Sequence, residues 1–188
     1  MEASDPALVA RALTGEEDAF RVLTERHSLA VFQLAYRMTA NEQDAEDVVQ
    51  ETFLRAFRNL KRYESRSLFS TWLYRIAANY SLDLLRSRKH FADHTAARGE
   101  VDWLDAVACP EPLADQITYS HQIRESIERS MEQLSVQERA AFVLRHYQQL
   151  SIEEICRTLG VGENAAKHSI FRAVRKLRRI LEPITERV

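Results

Sequence analysis

The sequence predicts an all-α protein of two small helical domains joined by a flexible linker, the C-terminal one a helix-turn-helix. Gly and Pro number only four each in 188 residues, too few for the turns of a hairpin-rich β fold. Apolar residues recur at three- and four-residue spacing through most of the chain. Pro110 and Pro112 fall in an acidic stretch of weak periodicity, whereas no proline lies between Ala7 and Ala108. The expected organisation is therefore a domain over residues 1–90, a linker over 91–118 and a domain over 119–188. With 45% hydrophobic and 29% charged residues, the composition is that of a folded protein and excludes a disordered one.

In the first half, Pro6 introduces a short helix ending near Gly15. A long helix from Glu16 to about Thr39 carries Phe20, Leu23, His27, Val31, Leu34 and Met38 on one stripe. Asn41 caps the next, from about Gln43 to Leu60, with Val49, Phe53, Ala56 and Leu60 inward. Ser70 reads as the cap of a fourth helix, Thr71 to about Arg88, burying Leu73, Ile76, Ala77, Tyr80 and Leu84. In the second half, Ser135-Val-Gln-Glu138 and Ser151-Ile-Glu-Glu154 are capping boxes. The second opens a short helix stopped by Gly160, and Gly160-Val-Gly162 turns the chain into a basic helix from about Glu163 to Leu181. Two short helices joined by a glycine turn, the second basic, are the pattern of a helix-turn-helix.

The balance of 26 Lys+Arg against 28 Asp+Glu hides alternating blocks. Asn41 to Glu51 holds five acids and no base, Thr52 to His90 nine bases against two acids, and Val161 to the end seven bases against three acids. The two basic blocks are candidate polyanion surfaces; solvated helix faces are the plain alternative. On the last helix, Ala166, Ile170, Val174 (or Ala173), Leu177 and Leu181 form the inner stripe. Asn164, Lys167, His168, Phe171, Arg172 and Arg175 then lie outside, a set able to meet base edges in a major groove. Lys176, Arg178 and Arg179 reach phosphates, and Arg145 on the preceding helix clamps the backbone. The alternative is a three-helix packing module with a basic solvent face.

The loop from Tyr63 to Trp72 includes Ser65, Ser67 and Phe69 and precedes outward Arg75, Asn79 and Arg86. Aromatics interleaved with arginine suit unstacked bases, although Phe69 and Trp72 read equally well as core. In the acidic block, Asp47, Gln50, Glu51 and Leu54 share one helix side, which reads as a protein-docking surface. No Gly-rich phosphate loop, nucleophile elbow or metal-ligand spacing is present; His90, His94 and Cys109 are too loosely spaced for zinc. No catalytic site, metal or cofactor is expected. Cys109 and Cys156 cannot build a disulfide framework, the first residues lack a signal peptide, and no run approaches a spanning helix of roughly 20 apolar residues. A cytoplasmic protein without membrane insertion is expected, monomeric when free.

The chain resembles an extracytoplasmic-function (ECF) sigma factor of the sigma-70 family. Asp44-Ala-Glu-Asp-Val-Val-Gln-Glu-Thr-Phe-Leu-Arg-Ala-Phe57 is similar to the family's polymerase-docking helix. Phe69-Ser-Thr-Trp-Leu-Tyr-Arg-Ile-Ala-Ala-Asn79, followed by Asp83-Leu-Leu-Arg86, resembles its −10 recognition segment. Leu134 through Arg145, Leu150 through Ile155, Leu159-Gly-Val161 and Lys167 through Arg178 resemble its C-terminal domain.

The resemblance implies a polymerase specificity subunit whose partners are core RNA polymerase, promoter DNA and an anti-sigma factor. Asp44, Asp47, Gln50, Glu51 and Leu54 would dock the polymerase. Tyr63, Ser65, Ser67, Phe69, Trp72, Arg75, Asn79 and Arg86 would serve the −10 element. Arg145, Asn164, Lys167, His168, Phe171, Arg172 and Arg175 would serve the −35 element. The linker would thread toward the polymerase active-site and RNA-exit channels. Departures include Ser65, where the family usually has Gly, and Asn164-Ala-Ala166, where it has Gly-Thr-Val before the recognition lysine. The competing reading is a stand-alone helix-turn-helix regulator, which has no need of the Asp44–Phe57 helix.

Overall fold

The structure is a computed structural model; it describes residues 3–65, 67–96 and 130–185. The first unit consists of α1 (Asp5–Leu13), α2 (Glu17–Thr39), α3 (Glu42–Asn59), a 3-10 turn (Leu60–Arg62) and α4 (Phe69–Ala96). The second consists of α5 (Val136–His146), α6 (Ile152–Leu159) and α7 (Glu163–Thr185), preceded by a helical turn at 130–132. All regular structure among the described residues is helical, as the sequence predicts.

In the first unit α2 is the central element, with α1, α3 and α4 packed around it. Its stripe is buried as the spacing requires: Leu23, Val31, Leu34, Ala35 and Met38 are fully enclosed. Truncating a side chain such as Leu34 to Ala would cost about 2–5 kcal/mol. The chain leaves α2 through Ala40 in the left-handed conformation (φ 54°), and Asn41 starts α3 by accepting a 2.9 Å bond from the Asp44 amide on its side chain. That bond satisfies one of the orphan donors at a helix start.

Two boundaries differ from expectation. Ser70 does not cap α4. The helix already begins at Phe69, whose ring is only 2% exposed, so a core contact fixes the start rather than a polar cap. At its other end α4 continues to Ala96, so residues 91–96 of the predicted linker are helical. The rest of the linker, with Cys109, lies outside the described residues.

In the second unit both capping boxes form. The Ser135 and Ser151 hydroxyls accept from the amides of Glu138 and Glu154, whose carboxylates accept from the serine amides at 3.0 and 2.8 Å. Gly160 ends α6 at φ 64°, a left-handed position that glycine adopts without strain. Along α7 the inner stripe is Ala166, Ser169, Ala173 and Leu177; of the two predicted alternatives it is Ala173, not Val174, that is fully buried.

The two units touch. Arg139 of α5 donates from Nη1 to the Met38 carbonyl of α2 (3.1 Å) and from Nε to the Met131 carbonyl (2.9 Å). The Arg37 guanidinium lies 4.2 Å from the centre of the Tyr147 ring. The buried apolar residues of both units belong to one cluster.

Candidate functional site

The acidic face forms where the helix cap and periodicity place it. Asp47, Gln50 and Leu54 stand exposed on α3, Leu54 at 42%. Glu51 is half-buried and accepts from Arg55 Nε at 2.6 Å, while the Arg55 guanidinium lies 4.8 Å over the Tyr80 ring. Beside this face, α2 and α3 enclose an open depression lined by Ser28, Leu29, Phe32, Glu46, Val49 and Gln50. Leu29 and Phe57 are 66% and 55% exposed. Acid groups thus border a considerable apolar surface, the composition of a protein-docking site. Leu29 and Phe32 were not legible as part of it, because only the packing of α2 on α3 brings them there.

Asp44 departs from expectation. Its side chain is 3% exposed and forms an ion pair with Arg88 of α4, 44 residues away. It therefore faces the interior between α3 and α4 and ties the two helices. Burial pushes its carboxyl above the usual carboxylate range, against the pull of Arg88.

The loop between the 3-10 turn and α4 is built on aromatic contacts. Tyr63, Phe69 and Trp72 meet pairwise with ring centres 5.3–5.7 Å apart. The Tyr63 hydroxyl donates to the Ser67 carbonyl at 2.6 Å, closing the loop. Below it, His27 meets the Phe69 ring edge-on and bonds Asp5 at 2.8 Å, pinning α1 under the loop. Phe69 is therefore core and offers no ring to a base, whereas Trp72 and Tyr63 are half-buried and present partial faces. Ser65 stands exposed at φ 51°. Glycine adopts that left-handed conformation without strain, whereas serine does not. Ser67 is half-buried, and Leu68 projects at 74% exposure. Arg75 and Asn79 follow Trp72 on the next turns of α4, both exposed, and Arg86 is exposed farther along, 3.9 Å from Asp83.

On the second unit, Asn164, Lys167, His168, Phe171, Arg172 and Arg175 are all exposed on α7, Phe171 at 64%. Two of the cations are held by carboxylates. Lys167 pairs with Glu163 at 2.5 Å, and Arg172 Nε lies 3.6 Å from Glu138 of α5. Arg145 points elsewhere than predicted: Nη1 donates to the Leu150 carbonyl at 2.8 Å, bracing the turn between α5 and α6. The side chain is nevertheless exposed, so a phosphate contact would compete with that bond.

The two units border a cleft in which Ser67, Thr71, Trp72 and Arg75 face Glu154, Arg157 and Thr158 of α6. Among the described residues no group of His, Cys, Asp or Glu is arranged to hold a metal ion, and no helix is long and apolar enough to cross a membrane.

Comparison with known proteins gives these surfaces a context. Residues 23–91 match the Sigma-70 region 2 family and residues 124–177 the Sigma-70 region 4 family. Over 173 residues the chain is 31% identical to the ECF RNA polymerase sigma factor SigW of Bacillus subtilis, spanning 90% of this chain and 92% of that protein. It is 33% identical over 180 residues to SigM of Mycobacterium tuberculosis (strain H37Rv), 96% of this chain and 86% of that protein. The solved structure of CnrH in complex with the cytosolic domain of CnrY superposes with a TM-score of 0.65 at 28% identity, over 96% of this chain and 99% of that one.

Proposed function

The chain belongs to the ECF RNA polymerase sigma factors, and from that premise we propose how its surfaces divide the work of initiation. The acidic and apolar side of α3, with Asp47, Gln50, Glu51 and Leu54, docks core RNA polymerase. Asp44 serves that face indirectly by fixing α3 on α4. The loop from Tyr63 to Thr71 receives an unstacked base of the −10 element, with Trp72, Arg75 and Asn79 beside it and Arg86 farther along the strand. Extruding a base costs a few kcal/mol, which contacts across the whole polymerase complex offset.

The outer face of α7 reads the −35 element. Lys167, His168 and Arg172 supply hydrogen bonds to base edges, Phe171 an apolar contact, and Asn164 and Arg175 flank them. Arg145, Arg178 and Arg179 meet phosphates and make binding salt-dependent, while Lys176 is bonded to Glu138 at 2.6 Å. The chain supplies recognition and no chemistry of its own, and it works in the cytoplasm. An anti-sigma partner is expected to cover the same docking and DNA faces; the similar protein CnrH was solved in complex with the cytosolic domain of CnrY.

One observation carries this reading. A single chain exposes an acid-bordered apolar face on α3 that DNA would repel, together with two cationic faces that DNA attracts. A stand-alone regulator needs only the second kind. The test mixes the pure protein with bacterial core RNA polymerase, follows co-elution on gel filtration, and runs transcription from a promoter library. Co-elution with promoter-specific transcripts is expected. Tight binding to duplex DNA by the protein alone, without co-elution, would favour the stand-alone regulator.

A further inference from the structure

The C-terminal unit is basic on its outer face, yet among its described residues one carboxylate lies in the interior. Glu138, in the first turn of α5, is only 5% exposed as a residue. Its Oε2 accepts from the Ser135 amide at 3.0 Å and from Lys176 Nζ at 2.6 Å. Its Oε1 lies 3.6 Å from Arg172 Nε, too long for a hydrogen bond but a close charge contact. Arg172 and Lys176 are one helical turn apart on α7, so one buried anion draws two neighbouring cations of the proposed reading helix toward α5.

Burial alone would raise the Glu138 carboxyl. The bonds from Lys176 and Ser135 outweigh that and hold it below the usual range, so it is charged at neutral pH. A buried anion of this kind restricts what it faces. The Arg172 side chain is 62% exposed and would otherwise sweep many rotamers, but its Nε side is held against Glu138. The contact engages Nε rather than a terminal nitrogen.

We propose that Glu138 is a positioning residue for promoter reading, its carboxylate fixing the Arg172 guanidinium on the outer face of α7 and so sharpening the base discrimination of that arginine. The inference rests on the assignment of α7 as the −35 reader. Glu138 touches no DNA; it acts through Arg172. Holding one rotamer-rich side chain ready is worth about a 2- to 10-fold effect on binding.

The two duties of Glu138 can be separated, because a glutamine at this place of a capping box still accepts from the serine amide. Glu138→Gln therefore keeps the cap and the volume while removing the charge. The parent −35 preference is first selected from a randomised −35 library with reconstituted holoenzyme. Binding to the selected promoter and to its single-base variants is then compared for parent, Glu138→Gln, Arg172→Ala and the double variant. Glu138→Gln is expected to lower discrimination about 2- to 10-fold, only at the base pairs that Arg172→Ala relaxes, and to add nothing in the Arg172→Ala background. Removing a negative charge beside DNA should leave non-specific affinity equal or higher, an outcome that mere loss of structure would not produce.

Discrimination unchanged in Glu138→Gln, or relaxed equally with and without Arg172, overturns the proposal while leaving α7 as the reader. If Arg172→Ala itself relaxes no position, the assignment of this arginine fails and the proposal fails with it. Should Glu138→Gln not fold, Glu138→Asp, which keeps the charge but draws it back by one methylene, carries the same expectation for discrimination at the Arg172-dependent base pairs.

Discussion

The contact between the two units invites a direct perturbation. It includes the Arg139–Met38 hydrogen bond at 3.1 Å and the stacking of Arg37 on Tyr147 at 4.2 Å. A hydrogen bond from a charged donor contributes about 1.5–3 kcal/mol and a partly exposed cation–π contact about 0.5–1 kcal/mol. Removing both in Arg37→Ala/Arg139→Ala should therefore cost the closed arrangement roughly 2–4 kcal/mol. At tenfold per 1.4 kcal/mol, the closed-to-open ratio falls by about 30- to 1,000-fold. Small-angle scattering of the free protein is the assay. The parent should scatter as a closed particle and the variant as an extended one, with a larger radius of gyration and each unit still helical by circular dichroism. Opening would also separate Trp72 and Arg75 from α6, so single-stranded DNA should reach the loop more readily in the variant. Identical scattering curves, or a parent already extended, would refute the reasoning.

Two further predictions concern the first unit. Arg88→Ala strands the Asp44 carboxylate, 3% exposed, without its partner and should destabilise the protein by about 1–3 kcal/mol at pH 7. Losing Arg88 raises the Asp44 carboxyl further. The native variant then holds its proton more tightly than the unfolded chain, so stability falls as pH rises from the ordinary value of 3.8 upward. The deficit should shrink in acid, as denaturant melts across pH will show; a deficit independent of pH would contradict the pairing. Ser65→Gly should stabilise by about 0.5–1 kcal/mol. It relieves a left-handed serine worth roughly 1–2 kcal/mol, less the greater unfolded freedom of glycine and the serine hydroxyl near Tyr63. A lower melting temperature would show that the hydroxyl matters more than the backbone.

Much of this architecture is written locally. Asn41, Ser135, Ser151 and Gly160 announce their helix ends because a cap depends on residues within one turn. The outer face of α7 follows from a period of 3.6, which is why every residue predicted to be exposed there is exposed. What escaped the sequence is long-range. Nothing near Asp44 tells that Arg88 will meet it, and nothing near Arg139 points to the Met38 carbonyl. Phe69 starts α4 in place of a Ser70 cap because a buried ring outweighs a polar cap. Arg145 turned to Leu150 because a nearby carbonyl was within reach. Leu29 and Phe32 joined the acidic face only when α2 and α3 packed. The Glu138–Arg172 contact is of the same kind, spanning α5 and α7.

The division of labour between α3 and α7 is tested most directly by one pair of variants in one reconstitution. Asp47→Lys and Lys167→Ala are each mixed with core RNA polymerase, checked for holoenzyme by gel filtration, and footprinted on a promoter selected by the parent. Asp47→Lys should fail to form holoenzyme, because it reverses a charge at the centre of the docking face. Lys167→Ala should form holoenzyme normally and lose protection over the −35 element alone. Normal holoenzyme from Asp47→Lys, or an unaltered −35 footprint from Lys167→Ala, would contradict the assignment of these two faces.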